Sequence, residues 1–571
     1  MRKLVLMAGL VLAAACGKSD PAGTGASGTT GNANATGTST GSAAASSSSS
    51  TTTATSTSAS SSSGATSGTA SSTSASTGSA GSSGSTTGSP VTLEVFRERV
   101  LVVDGGPIVE EPVDLSRTGL VALVPDDAAG TYQEISGAVT CSAGQCTTVA
   151  IPAGDYFLVL DKELVETTAR TVDLRFARLG RAAPALATQT TPVSFDLTNL
   201  APAQTADRVE LSDLNANFIT RKVHLDVKAD GGAFAFSPGE TVLVGSVDWR
   251  GRPQVMHTLG DPLFVSQLSH ADGGAGGRSF TRSLVKYQDL SGQDILDGVP
   301  TTITGALDDV NNVNFSQLQT QWNVDAPSSF TTNLPAGFVF DRVGLELGAL
   351  PRSGKLGIYS ANYAESRYVQ VGDAAQLPLN DTQPLFLTYP PYWTPFVRVV
   401  GSWYKPIALS GLPGGTYYAN SGFVTAYSVI IAPTNLSPAV GVPRNVQVNG
   451  QASTGPLSNV TSTPTFTWDA PSTGTPQYYA GTINQVAYNP GAQRVDVVRT
   501  LAFLVPATRH RFVVPPAFAL QTGLSYVLDL RAIDTGTNSS TLLPKLALTE
   551  HPFTQPVEDN VSFVQTDLLT P

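Results

Sequence analysis

Pro464-Thr465-Phe466-Thr467-Trp468 decides the fold class, because its period of two puts Phe466 and Trp468 on one face of a strand. Pro443-Arg444-Asn445-Val446-Gln447-Val448 reads as the strand before it. Leu520-Gln521-Thr522-Gly523-Leu524-Ser525-Tyr526-Val527-Leu528-Asp529-Leu530-Arg531-Ala532 reads as a Gly-containing turn feeding a tyrosine-led strand. The same grammar runs back to about Pro90: short apolar runs broken by Gly, Pro, Asn and Asp. Val91–Phe96, Leu158–Leu160, Arg221–Val227 and Ser428–Ile431 all read as strands, and sustained helical periodicity is scarce. These signals predict an all-β chain with several β-sandwich domains in tandem, behind a disordered N-terminal tether.

Three sections follow. Residues 433–571 resemble a fibronectin type III or related immunoglobulin-like sandwich. The resemblance rests on the first strand ending at Val448, the Phe466/Trp468 strand and the Gly523–Tyr526 turn. It implies that Trp468 and Tyr526 are core and that the Tyr526 hydroxyl caps the sandwich edge. It implies no catalytic residue. In residues 90–185, Pro152-Ala153-Gly154-Asp155-Tyr156 and the apolar run to Leu160 resemble the small carboxypeptidase-regulatory-like sandwiches. Residues 190–432 are β-rich and match no family, as one domain or two.

The other end of the chain is an address. Arg2 and Lys3 precede an apolar run from Leu4 to Leu12, and Ala13-Ala14-Ala15 lead into Cys16. The run is shorter than the ~20 residues that span a bilayer. Residues 1–15 resemble the signal peptide of bacterial lipoproteins, with Cys16 as the acylated residue. Ala13 departs from that pattern, which places Leu three residues before the cysteine; the alternative is an ordinary secretory signal cleaved near Ala15. Gly17, rather than Asp, favours an outer-membrane lipoprotein in the cell envelope, surface-exposed or periplasmic. Residues 16–89 are almost entirely Ser, Thr, Gly and Ala, with too little apolar surface to offset the entropy of ordering. A flexible tether of about 70 residues has a root-mean-square span of roughly 45 Å.

Composition limits the chemistry. The 571 residues carry a formal charge of −11 and only 13% charged residues. The first ninety hold Arg2, Lys3 and Lys18 against Asp20, leaving 30 basic and 43 acidic residues in the body. An acidic body without a Lys/Arg stripe excludes a phosphate backbone as its partner, so no nucleic acid is expected. Of three cysteines, Cys16 belongs to the address, and Cys141 and Cys146 form an even pair. In an exported chain that pair predicts a disulfide, with two free thiols as the alternative.

Catalytic and metal motifs fail one by one. Gly37-Thr38-Ser39-Thr40-Gly41 fits the nucleophile-elbow letters, but a disordered Ser/Thr/Gly tract supplies neither the strand nor the helix the elbow needs. Asp213-Leu214-Asn215-Ala216-Asn217-Phe218 opens like a calcium loop. It then has Phe218 where the loop requires Gly and His224 where it requires Glu, so a turn between strands is expected. His224, His257, His270, His510 and His551 form no ligand spacing. No metal and no cofactor is predicted. Tyr389, Tyr392, Trp393, Phe396, Trp403 and Tyr404 put six aromatics within 16 residues. They read either as a glycan-binding platform on a Pro-rich loop or as rings capping a sandwich core. The function expected is a membrane-anchored lipoprotein displaying β modules for adhesion, matrix or glycan binding, or envelope scaffolding. Its partners are the membrane, through the lipid anchor, and polysaccharide or other envelope proteins. The alternatives are an exported hydrolase of polysaccharide or protein, and a subunit of an envelope assembly complex.

Overall fold

In the computed structural model, Phe466 and Trp468 lie buried on one face of the strand Thr465–Asp469, as period two requires. The structure describes residues 88–224, 242–272, 280–309, 316–319, 330–350, 364–376, 384–387, 394–409, 415–428, 438–534 and 560–571, less short stretches inside these spans. The chain divides into two units, Met1–Ser85 and Thr86–Pro571. The leader, Cys16 and the tether up to residue 87 lie outside the described residues. Among the described residues, regular structure is almost wholly strand, so the all-β class holds.

The last section is a sandwich. One sheet holds Gln451–Ala452, Arg444–Val448, Thr465–Asp469 and Arg511–Val513 in that order. The other runs Arg494–Pro506, Tyr478–Asn489, Ser525–Asp534, Asn560–Gln565. Between them Trp468 meets Tyr479 at 5.4 Å and Phe503 at 6.2 Å, and Phe503 stacks on Phe512 at 3.8 Å. Gly481 has no side chain because the Phe503 ring occupies that space. Tyr526 is buried, and its hydroxyl accepts the Gln521 backbone N–H at 3.0 Å, across the turn where Gly523 takes φ +80°. That is the cap expected of it.

The first section packs a sheet of Thr171–Asp173, Ser89–Glu94, Gln145–Ile151 and Thr140–Ser142 against one of Glu163–Thr167, Tyr156–Leu160, Leu120–Asp126 and Thr131–Gly137. Val91, Leu93, Ile151 and Val172 meet Ala122, Tyr156 and Leu158 between them. Cys141 and Cys146 face each other across a hairpin and form the expected disulfide. Ala143 and Gly144 turn that hairpin with φ of 49° and 84°. Phe157 and Val159 point the opposite way from Tyr156 and Leu158, yet all four are buried. A strand buried on both faces needs a second partner, which is why its sequence is a continuous apolar run.

That partner is the last section. Glu163–Val165 pairs in parallel with Ala502–Leu504, and Phe157, Val159 and Leu164 join the core that contains Phe466 and Phe503. The opposite edge of the same sheet is also taken: Asn560–Gln565 pairs with Thr416–Ser428. The hydrogen-bonded ladders therefore run through the section limits near 185–190 and 432–433. The middle section divides between two cores. Residues 187–307 have their own, built on Phe195, Trp249, Val265 and Ile303. Phe330, Val343, Leu345, Val399, Trp403 and Phe423 instead share the core of the last section.

Candidate functional site

The strand Thr394–Ala408 is paired on both sides, with Val339–Leu350 and with Thr416–Ser428. Pairing fixes its pleat, so neighbouring residues face opposite ways. Trp403 points inward: it is 1% exposed, stacks on Phe330 at 4.6 Å and meets Phe340 at 5.8 Å. Gly401 leaves room for the Phe423 ring beside it. This corrects the platform reading for Trp403, which is a core residue with no ring face open to a glycan. Tyr389, Tyr392 and Trp393 lie outside the described residues, and of Phe396 only the backbone position, inside the strand, is described.

Tyr404 faces the other way. Its ring meets that of Tyr418 edge-on at 5.8 Å, and Tyr418 is 53% exposed. Val339 is 51% exposed and lies opposite Tyr404 in the ladder, while Pro406 lies opposite Tyr418. The result is a solvent-facing patch of two tyrosines, a valine and a proline across three strands. Its polar border includes Ser402, whose hydroxyl donates to Asp341 Oδ2 at 2.8 Å, and Asn420, whose amide donates to the Tyr418 carbonyl. Such a surface sets aromatic rings and hydrogen-bonding groups side by side. Sequence reasoning missed Tyr418, because only the strand register brings it to Tyr404.

A close histidine–carboxylate contact is also invisible in sequence. Asp294 Oδ1 accepts both the backbone N–H and the Nδ1 of His257, each at 2.7 Å, from 37 residues away. The surrounding carboxylates hold loops. Asp297 accepts the Thr188 hydroxyl and the Thr188 and Gln189 N–H groups, Asp248 accepts Thr191 and Arg250 N–H, and Asp261 pairs with Arg181. Trp249 lies buried beside them, its indole N–H donating to the Pro253 carbonyl. These carboxylates are engaged by backbone and side-chain donors, and no group of three His, Cys, Asp or Glu among the described residues is placed to hold a metal. Asp213, from the calcium-like string, accepts the Ala216 N–H within the hairpin joining Arg208–Asp213 to Phe218–His224. His270 donates its backbone N–H to Asp207, and His510 lies 3.5 Å from the Tyr479 hydroxyl. The side chains of His224 and His551 are outside the described set.

These loop carboxylates carry a pH prediction. The Thr191 N–H, then the Arg250 N–H, hold Asp248 below the ordinary value of 3.8. The Thr188 hydroxyl and the Gln189 N–H do the same for Asp297. Groups lowered on folding stabilise the fold above their unfolded value and lose that contribution as pH falls through the folded one. Melting temperature is therefore expected to be flat from pH 7 to about 5 and to fall below about pH 4. In an Asp248→Asn/Asp297→Asn variant, less of that fall should remain. An identical fall would remove these two groups from the account.

No protein-family model matches the chain. No curated protein matches it. Among solved structures the chain is similar to the chicken CNTN1 FN1-FN3 domains, at 10% identity over 62% of this chain and 92% of that one, with a TM-score of 0.13. It is also similar to a Streptococcal ancillary pilin, at 12% identity over 58% of this chain and 94% of that one, with a TM-score of 0.09. Likeness at these TM-scores carries no argument; the sandwich assignments rest on the strand order and register above.

Proposed function

We propose that this chain is an exported lipoprotein, acylated at Cys16 and anchored in the outer membrane. Its 16–89 tether holds the all-β body outside the cell for adhesion to extracellular polysaccharide or matrix. The observation that carries the reading is the composition step at about residue 90. Before it stands a Ser/Thr/Gly/Ala stretch behind an apolar leader ending in cysteine; after it stands a body of packed β-sheets. The Tyr404–Tyr418 patch is the contact surface on that body, and the last section is fibronectin type III-like. Several acyl chains at Cys16 anchor firmly, since each buried methylene contributes about 0.8 kcal/mol.

Phase separation of whole-cell extracts in a cloud-point detergent tests the anchor. The full chain is expected in the detergent phase, and its Cys16→Ser variant in the aqueous phase. Wild-type protein in the aqueous phase would rule out acylation and leave the ordinary secretory signal.

A further inference from the structure

The surface joining the first and last sections has the character of a domain interior. The Phe157 ring lies 6.0 Å from Phe512 and 5.7 Å from Tyr132. The Tyr132 hydroxyl donates to the Val513 carbonyl at 2.7 Å. Arg509, in the turn before Arg511–Val513, sets its Nε against the Glu166 carboxylate and its guanidinium over the Phe157 ring. The Glu166 side chain is 2% exposed, so its charge is taken from water, and Arg509 sets a positive charge against it. At the rim, Arg499 pairs with Glu163 at 2.8 Å, beside the parallel ladder Glu163–Val165/Ala502–Leu504. Without the first section, the last would expose an unpaired strand edge and the Phe512 side of its core, and Arg509 would lose the Glu166 carboxylate.

We propose that residues 88–179 and 438–571, with the described strands of 330–428 that share their core, form one discontinuous domain locked by the Glu166–Arg509 pair, and that the lobe of residues 187–307 is joined to it through the ladder Phe280–Ser283/Arg367–Gln370. The chain leaves this domain after the strand Phe176–Leu179 and is back in its core at Phe330. The segment preceding Ser89 thus enters the domain that also holds the chain's last strand, Leu569–Thr570. A pull on that segment passes into the last section through the Glu163–Val165 ladder and does not cross the 187–307 lobe. This inference stands on the interface alone and does not depend on the anchor or on adhesion.

A specific protease site inserted at Gly180 of the full chain provides the test. Cutting there leaves the Arg181–Asp261 pair wholly on the C-terminal fragment. After cleavage under native conditions, the two fragments are expected to co-elute in size-exclusion chromatography. Arg509→Glu should raise their dissociation constant at least tenfold and separate them on the column. Should that variant fail to fold, as judged by loss of its melting transition before cleavage, Glu166→Gln removes the charge with little change of shape and should weaken association in the same direction. Separation of the wild-type fragments would overturn the discontinuous domain. Co-elution unaffected by the folded variant would overturn the lock.

Discussion

Trp403→Ala is expected to lower the stability of the body by about 3–5 kcal/mol, the range for deleting a large aromatic from a core. The indole stacks on Phe330, meets Phe340 and Phe423 and is almost wholly removed from water, so its loss leaves a cavity that paired strands on both sides cannot collapse. Tyr404→Ala, one residue on, should cost no more than about 1.5 kcal/mol, the worth of its ring contact with Tyr418. Chemical denaturation of both variants gives the comparison directly. A Trp403→Ala protein as stable as the wild type would return that ring to the surface and reopen the platform reading.

The second large effect is expected at Lys405. Its Nζ lies 2.6 Å from Asp567 Oδ2 and also donates to the Thr454 carbonyl, tying the middle of the chain to the segment between its last two strands. The Asp567 side chain is 3% exposed. Lys405→Met therefore leaves a buried carboxylate without its cation, at a cost of about 3–5 kcal/mol. Replacing both partners, as in Lys405→Met/Asp567→Leu, should restore most of that loss, because the pair's own attraction is largely offset by desolvation. Denaturation midpoints of the single and double variants read the difference. Equal loss in both would show that Lys405 acts through packing of its aliphatic stem and not through charge.

The two residues Trp403 and Tyr404 show where sequence reading stops. Their local sequence gives two aromatics in succession, and only the strand's two partners decide which faces inward. The Phe466/Trp468 strand was legible because one clean alternation is enough when one face is buried. The Tyr526 cap was legible because its turn and its strand are neighbours in the chain. The run Tyr156–Leu160 was legible as a strand after a Pro/Gly turn, but its burial on both faces was not, since Phe512, which covers the second, lies some 350 residues away. His257 and Asp294 meet through loop hydrogen bonds that leave no spacing to read. The division of the middle section between two cores was equally hidden, because it is set by which sheet each strand joins.

The claim at the centre of the account is that Cys16 and the tether hold this body outside the cell. Broad-specificity protease added to intact cells, followed by antibody against residues 88–571, tests it most directly. The account predicts that the body is released from wild-type cells, and that a Cys16→Ser strain has no cell-bound body to release. A body that stays cell-associated and uncut on intact cells, yet is cut once the outer membrane is opened, would place it in the periplasm and contradict display.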